Sequence, residues 1–272
     1  SWALWNDEVY SVAVRASQSI SDLLVVAGDP HPPGYFLLLH CWMAAFGQGA
    51  ASARLLSVVL AAGTILATFL LGRELFDETA GLIAALFVAL STFHVHFGRM
   101  ARMYELLSLL AVVSWFFFAR LHAGRGNSTA GYLLATGAMI YTHLAGLLVL
   151  LAQHVYVVFS EKRGALPYRR WGRVQAMLLA AVLPALVIVW QQVFGSPSGV
   201  GRPPLWWVPD PSRVAIAQTI LGYVGYPSHY PILGGSMATY AIAFCVLLIV
   251  AGALLLAIAS YHPAYGFVLT TT

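Results

Sequence analysis

The sequence predicts an all-α protein that crosses a membrane several times. Two observations carry this. Of the 272 residues, 60% are hydrophobic and only 9% charged, whereas a soluble domain carries about 25% charged residues. Apolar runs close to the roughly 20 residues needed to cross a bilayer also recur along the chain. A single water-soluble core cannot hide that much apolar surface.

The elements follow in order. Residues 1–50 read as an external loop. Its first part, 1–32, is mixed and polar, with an amphipathic stretch at 9–26. The apolar run 35–47 (YFLLLHCWMAAFG) holds 13 residues, too few to span comfortably, and is expected as a helix lying at the membrane surface. Residues 51–272 read as a transmembrane helical body of about seven spans. The expected spans are 53–72, 79–97, 102–121, 129–145, 146–160, 174–194 and 237–260. The stretch 129–160 fits either two short spans or one long tilted helix. The loop 196–236 is rich in Gly, Pro and Trp. It is long for a simple connection, and is expected to cover a site as a lid. No inverted repeat of the transporter kind is visible.

The net charge of +4 reflects a shortage of acids, and Lys162 is the only lysine. That pattern argues against a nucleic-acid partner. Cys41 and Cys245 lie in apolar stretches without a CxxC spacing, so they read as packing residues. The chain opens at Ser1 without an initiator Met or signal peptide, and is expected to be a piece of a longer one. Positive charge orients the spans. The loop 161–173 holds Lys162, Arg163, Arg169, Arg170 and Arg173 and is placed in the cytoplasm, with Arg73 and Arg125 on the same side. Residues 1–52, 94–101 and 196–236 then face outward.

Several polar residues converge on that outer face. Asp7 and Glu8 are adjacent in Trp5-Asn6-Asp7-Glu8, and adjacent side chains point in different directions. One carboxylate suits general-base work on an acceptor hydroxyl, and the other suits a divalent metal or orientation of the first. The alternative is ordinary capping, with Asn6 at the cap and two acids in the first helical turn. His31-Pro32-Pro33 forms a rigid turn ahead of the surface helix, and His31 is a donor, an acceptor or a metal ligand. Arg54 opens a span, where a guanidinium either grips a phosphate or snorkels to lipid headgroups. Arg99, Arg102 and Glu105 fall three apart, which on a helix sets them along one stripe. Two cations there suit a phosphate; the alternative is an Arg102–Glu105 pair that satisfies itself. Tyr104 is a site ring or part of the interfacial aromatic belt. His94 and His96 diverge on a helix and resemble a metal pair only in extended chain. His143 reads as a hydrogen-bonded core residue. Trp206-Trp207 is a sugar-stacking pair or an interfacial anchor.

Taken in sequence, WNDE, DPHPPGYFLLLHCWMAAFG, ARLLSVVLAAGTILATFLLGRELF and AGLIAALFVALSTFHVHFGRMARMYELL resemble the GT-C membrane glycosyltransferases. The nearest likeness is to the protein mannosyltransferase and aminoarabinose transferase superfamily, including its family 39-like bacterial and archaeal enzymes. The likeness runs over residues 1–160. It implies a GT-C-like helical bundle with an external loop carrying interfacial helices. It also implies a polyprenyl-phosphate-linked sugar as donor, and transfer on the non-cytoplasmic face to a protein, lipid or glycan acceptor. By the same likeness Asp7 is the general base or the acceptor-orienting carboxylate, Glu8 supports it or a divalent metal, and Arg54 meets the carrier phosphate. The Arg99–Glu105 segment resembles a second external turn in which arginine precedes an acid. The relatives carry a transmembrane helix ahead of the acidic motif and more chain after the last span.

The residues and the likeness agree on a leading expectation. It is a multi-pass glycosyltransferase in a bacterial or archaeal plasma membrane, rather than the ER, with its active face outward. Asp7, Glu8 and Glu105 are the catalytic candidates; His31, Arg54, Arg99, Arg102 and Tyr104 are the substrate-binding ones. The alternatives are a non-catalytic accessory subunit on a truncated GT-C scaffold, working with other membrane subunits, and a transporter or flippase. Clustering of charge at one face disfavours the last, since a transport path needs polar groups near the midplane.

Overall fold

A computed structural model describes residues 4–25, 31–159 and 166–194. The expected span 237–260, the loop 196–236 with Trp206-Trp207, Cys245, and residues 161–165 of the basic loop lie outside the described residues. The chain divides into two units, residues 1–155 with 162–204, and residues 156–161 with 205–272. The described residues fall almost wholly in the first.

Every regular element among the described residues is a helix. The chain enters through α1 (Asn6–Val9), which runs on as a π-helical turn over Tyr10–Arg15. Then come α2 (Ile20–Val25), α3 (Gly34–Phe46), α4 (Ala50–Leu75), α5 (Glu78–Leu90), α6 (Thr92–Phe97), α7 (Tyr104–His122), α8 (Ser128–Thr142), α9 (Gly146–Phe159) and α10 (Tyr168–Phe194). Three helices are long and apolar enough to cross a membrane, over Ala50–Leu75, Tyr104–His122 and Tyr168–Trp190. Helices α3, α5 and α9 are apolar but shorter.

One expected span acquires a break, and one open choice is settled. The run 79–97 is not one helix. It stops at Leu90, and Ser91, in extended conformation, caps α6 by accepting from the His94 amide at 3.4 Å. The stretch 129–160 resolves into two helices, α8 and α9, parted at His143–Ala145. The imidazole of His143 serves the turn there, accepting from the Ala145 amide at 3.0 Å.

Helices α4 and α7 run in the same sense, with α5 and α6 returning between them. At one end, Ser57 on α4 donates to the Met100 carbonyl just ahead of α7 at 2.6 Å. At the other, Glu74 near the end of α4 accepts from Arg120 of α7 and from Arg125, each at 3.0 Å. The α4–α5 hairpin closes tightly because it crosses at two glycines. A Cβ on Gly72 would lie 2.7 Å from the Gly81 Cα. Small residues let helix backbones approach in this way inside a membrane. Deeper in the bundle, Tyr132 donates to Gln153 at 3.0 Å, Gln153 donates to Ser114 at 2.9 Å, and Ser114 shares a proton bond with Thr136 at 2.8 Å. All four side chains are buried, so the polar atoms of α7, α8 and α9 satisfy one another where lipid offers no partner.

The entry segment packs on the end of the bundle that carries Arg54. Val12, Ala16 and Leu23 join Phe36, Leu39 and Met43 of α3, Leu56 and Leu60 of α4, and Met103 and Leu106 around the start of α7 in one apolar cluster. Arg15 is buried under this layer. It donates to Gln18 and to the Leu23 carbonyl and lies 4.7 Å from the Phe36 ring centre, so its charge is spent holding the turn together. The layer fixes the acidic motif over the helix ends, and the candidate site forms there.

Candidate functional site

Glu8 is the best-held charged group at this end of the molecule. An ionised carboxylate offers about four lone-pair positions, and here four donors fill them. Oε1 accepts from Arg54 Nε at 2.9 Å and from the Ala101 amide at 3.0 Å; Oε2 accepts from Arg54 Nη2 at 2.6 Å and from the Trp5 amide at 3.0 Å. The two Arg54 bonds form a side-by-side fork, the geometry in which guanidinium and carboxylate match best. Glu8 is fully buried. Burial alone would raise its pKa, but the bonds from Arg54, Ala101 and Trp5 together outweigh it and hold the carboxyl below its ordinary value. One side chain thereby ties α1 to the start of α4 and to the turn before α7.

That turn differs from the helical stripe expected of Arg99, Arg102 and Glu105. Residues 98–103 are non-helical, and α7 starts at Tyr104. The backbone leaves the helix so that the Ala101 amide can reach Glu8. The three side chains then part company. Arg99 is exposed and its guanidinium has no partner among the described residues. Arg102 is buried; its Nη1 donates to the Asp7 carbonyl and to Ser11 Oγ, each at 3.1 Å, and its Nε finds no acceptor. Glu105 is buried beneath them, where its Oε2 lies 3.3 Å from His94 Nδ1 rather than beside Arg102. That contact is at ion-pair distance but is not aligned as a hydrogen bond. His94 Nε2 in turn faces the Ala61 carbonyl at 3.2 Å. A carbonyl only accepts, so Nε2 carries the proton and the His94–Glu105 pair must hold one more between them to attract.

Asp7 behaves differently from its neighbour. Its backbone carbonyl is engaged by Arg102 and Ser11, whereas its carboxylate is exposed and makes no bond among the described residues. The two adjacent acids are therefore held differently, Glu8 saturated by donors and Asp7 exposed without a partner among the described residues. Asn6, Asp7 and Glu8 form the first helical turn, but the helix begins at Asn6 itself, so the expected cap at Asn6 is not formed; instead Glu8 reaches back to the Trp5 amide.

His31 reaches the same end by another route. Pro32 and Pro33 lead into α3, and Gly34 sits against the last turn of α8; a Cβ there would lie 2.6 Å from the Tyr141 carbonyl oxygen. Only glycine permits that approach, and it carries the His31 ring to 5.6 Å from the ring of His143. His143 is 6.3 Å from Tyr104, whose ring lies 5.8 Å from the Arg102 guanidinium carbon. The structure thus brings His31, Tyr104, Arg102 and the Asp7–Glu8–Arg54 group to one end of the bundle, together with a residue read from sequence as core, His143. No local signal set it apart, since a single histidine inside an apolar run interrupts hydropathy only weakly.

A divalent metal fits these donors poorly. Glu8 has no lone pair to spare, and among the described residues no three His, Cys, Asp or Glu side chains are grouped to hold one.

A family model described as dolichyl-phosphate-mannose-protein mannosyltransferase matches residues 30–190, more than half of the sequence. The chain belongs to that family. The match takes in His31, Arg54, Arg99, Arg102, Tyr104, Glu105 and His143, while Asp7 and Glu8 lie ahead of it. Among solved structures, the crystal structure of ArnT from Cupriavidus metallidurans in the apo state superposes with a TM-score of 0.57 at 17% identity. The superposition covers 83% of this chain and 44% of that one. It establishes the helical GT-C fold for this family member, which spans less than half the length of that neighbour. Comparison with curated proteins gives no match.

Proposed function

We propose that the protein transfers a sugar from a polyprenyl-phosphate carrier to a hydroxyl acceptor at the non-cytoplasmic membrane surface. The family match and the GT-C fold support the reaction class. The observation that supports the assignment of roles is the contrast between Asp7 and Glu8: an exposed carboxylate without a partner among the described residues, held beside one that is saturated by four donors.

The acceptor O–H gives its proton to the Asp7 carboxylate as its oxygen attacks the anomeric carbon. The bond from that carbon to the phosphate oxygen breaks, and the carrier phosphate leaves with one more negative charge. Arg99, exposed and unpaired among the described residues, meets that charge, with Arg102 behind it. Positive groups placed where charge develops lower the barrier most. Glu8 and Arg54 are positioning residues that fix the 98–103 turn, and so Arg99 and Arg102, relative to Asp7. Glu105 supports the same turn from beneath through His94. His31 and Tyr104 border the sugar phosphate. Attack opposite the leaving phosphate inverts the anomeric centre. The acceptor is a protein, lipid or glycan, and the membrane is a bacterial or archaeal plasma membrane.

The test is product formation by the full-length protein in lipid nanodiscs, given polyprenyl-phosphate-linked sugars and candidate acceptors. Release of free polyprenyl phosphate in step with glycosylated acceptor is expected. A well-folded protein that releases none from any donor overturns the proposal.

A further inference from the structure

His143 is the least expected member of the cluster, and its chemistry is set by one hydrogen bond. The Ala145 amide donates to its Nδ1 at 3.0 Å. An amide N–H only donates, so Nδ1 must present its lone pair, and the neutral ring carries its proton on Nε2. That Nε2–H has no acceptor among the described residues. The ring is half-exposed and anchored on its other side by the helix break, so the donor is held in place rather than free to rotate.

The surroundings say what such a donor meets. The nearest rings are His31 and Tyr104, with the Arg102 guanidinium beside Tyr104. Within that group the buried Arg102 Nε also lacks an acceptor among the described residues. The cluster is therefore short of acceptors and suits an anionic oxygen. The same Ala145 bond argues against a metal at the His31–His143 pair, because a metal-bound Nε2 needs the lone pair that the proton occupies.

We infer that His143 is a preset N–H donor for a phosphate oxygen of the lipid carrier, a substrate-binding residue contributed by the junction of α8 and α9. The inference rests on the proposed function and adds a residue to its donor site. It assigns the HPPG turn a second task, since the close approach at Gly34 places His31 against the ring that carries the donor.

Two variants and one spectrum test it. Farnesyl phosphate is titrated into the full-length protein in nanodiscs, with His143→Phe and His143→Gln alongside. His143→Phe keeps a ring but loses the donor, and binds about tenfold more weakly; His143→Gln keeps an N–H and recovers most of the affinity. In ¹⁵N-histidine spectra His143 shows a protonated Nε2, and that resonance moves on adding farnesyl phosphate. Wild-type affinity in His143→Phe, equal loss in both variants, or a proton on Nδ1 overturns the inference while leaving the proposed function standing. Absence of saturable farnesyl phosphate binding by the wild type overturns both.

Discussion

Glu8 and Arg54 show how much one pair of residues fixes. With the carboxylate removed, Arg54 loses its fork, and the Ala101 and Trp5 amides lose their acceptor. Breaking one partner of a buried pair costs about 3–5 kcal/mol. Arg54 keeps some contact with solvent, so Glu8→Gln is expected at the lower end, about 3 kcal/mol. The pH dependence follows from the sign of the shift. The folded-state pKa of Glu8 lies below its ordinary value near 4.5. Its contribution is therefore complete above that value and is lost as the pH falls through the lower, folded-state value. Thermal unfolding followed by tryptophan fluorescence, from about pH 7 down to about pH 3, should show a steep acid loss in the wild type and a flatter one in Glu8→Gln. Parallel curves would deny the pair this role. Both residues stood out in the sequence, Glu8 in an adjacent acidic pair and Arg54 at the opening of a span, but their partnership did not. They are 46 positions apart, and the local pattern of each pointed to solvent, lipid or ligand. Glu105 was misleading for a related reason: its spacing from Arg102 implied a shared helix, whereas the helix begins between them.

At the level of elements, the decisive feature is the contact between the start of α3 and the end of α8. Gly34→Ala places a methyl group 2.6 Å from the Tyr141 carbonyl oxygen, and backbone cannot yield as a flexible side chain would. Overpacking of this kind costs about 1–3 kcal/mol. It should also push His31 away from His143, so the variant is expected to lose more donor affinity than its melting temperature alone implies. Farnesyl phosphate titration next to a thermal melt separates the two effects; unchanged values in both would mean that the helices do not meet there. The positions of the long helices α4, α7 and α10 were legible, because long apolar runs are the strongest membrane signal. The break at Ser91 was not, and the one at His143–Ala145 stood only as one of two alternatives. Neither contains proline, and serine or histidine inside an apolar run interrupts hydropathy too weakly to mark a helix end. The choice between two helices and one over 129–160 needed packing information that the local sequence does not hold.

For the molecule as a whole, charge is sorted by its partners rather than by its position in the sequence. Glu74 with Arg120 and Arg125 closes one end of the bundle. At the other end Glu8 with Arg54 and Glu105 with His94 are internally paired, while the Asp7 carboxylate and the Arg99 guanidinium have no partner among the described residues. Helix ends that are stitched together in this way form a rigid platform, and in the proposed function the two groups without a partner among the described residues are the ones that meet the ligand. The central claim is that Asp7 takes the acceptor proton while Glu8 only holds the platform. The most direct measurement compares sugar transfer by the full-length wild type, Asp7→Asn and Glu8→Gln, with melting temperatures recorded for each. Asparagine matches aspartate in size but cannot accept the proton. The account predicts that Asp7→Asn melts like the wild type and loses transfer by at least the 10²-fold typical of a positioned base, whereas Glu8→Gln loses stability first and activity only in proportion. Full turnover by a folded Asp7→Asn protein would contradict it.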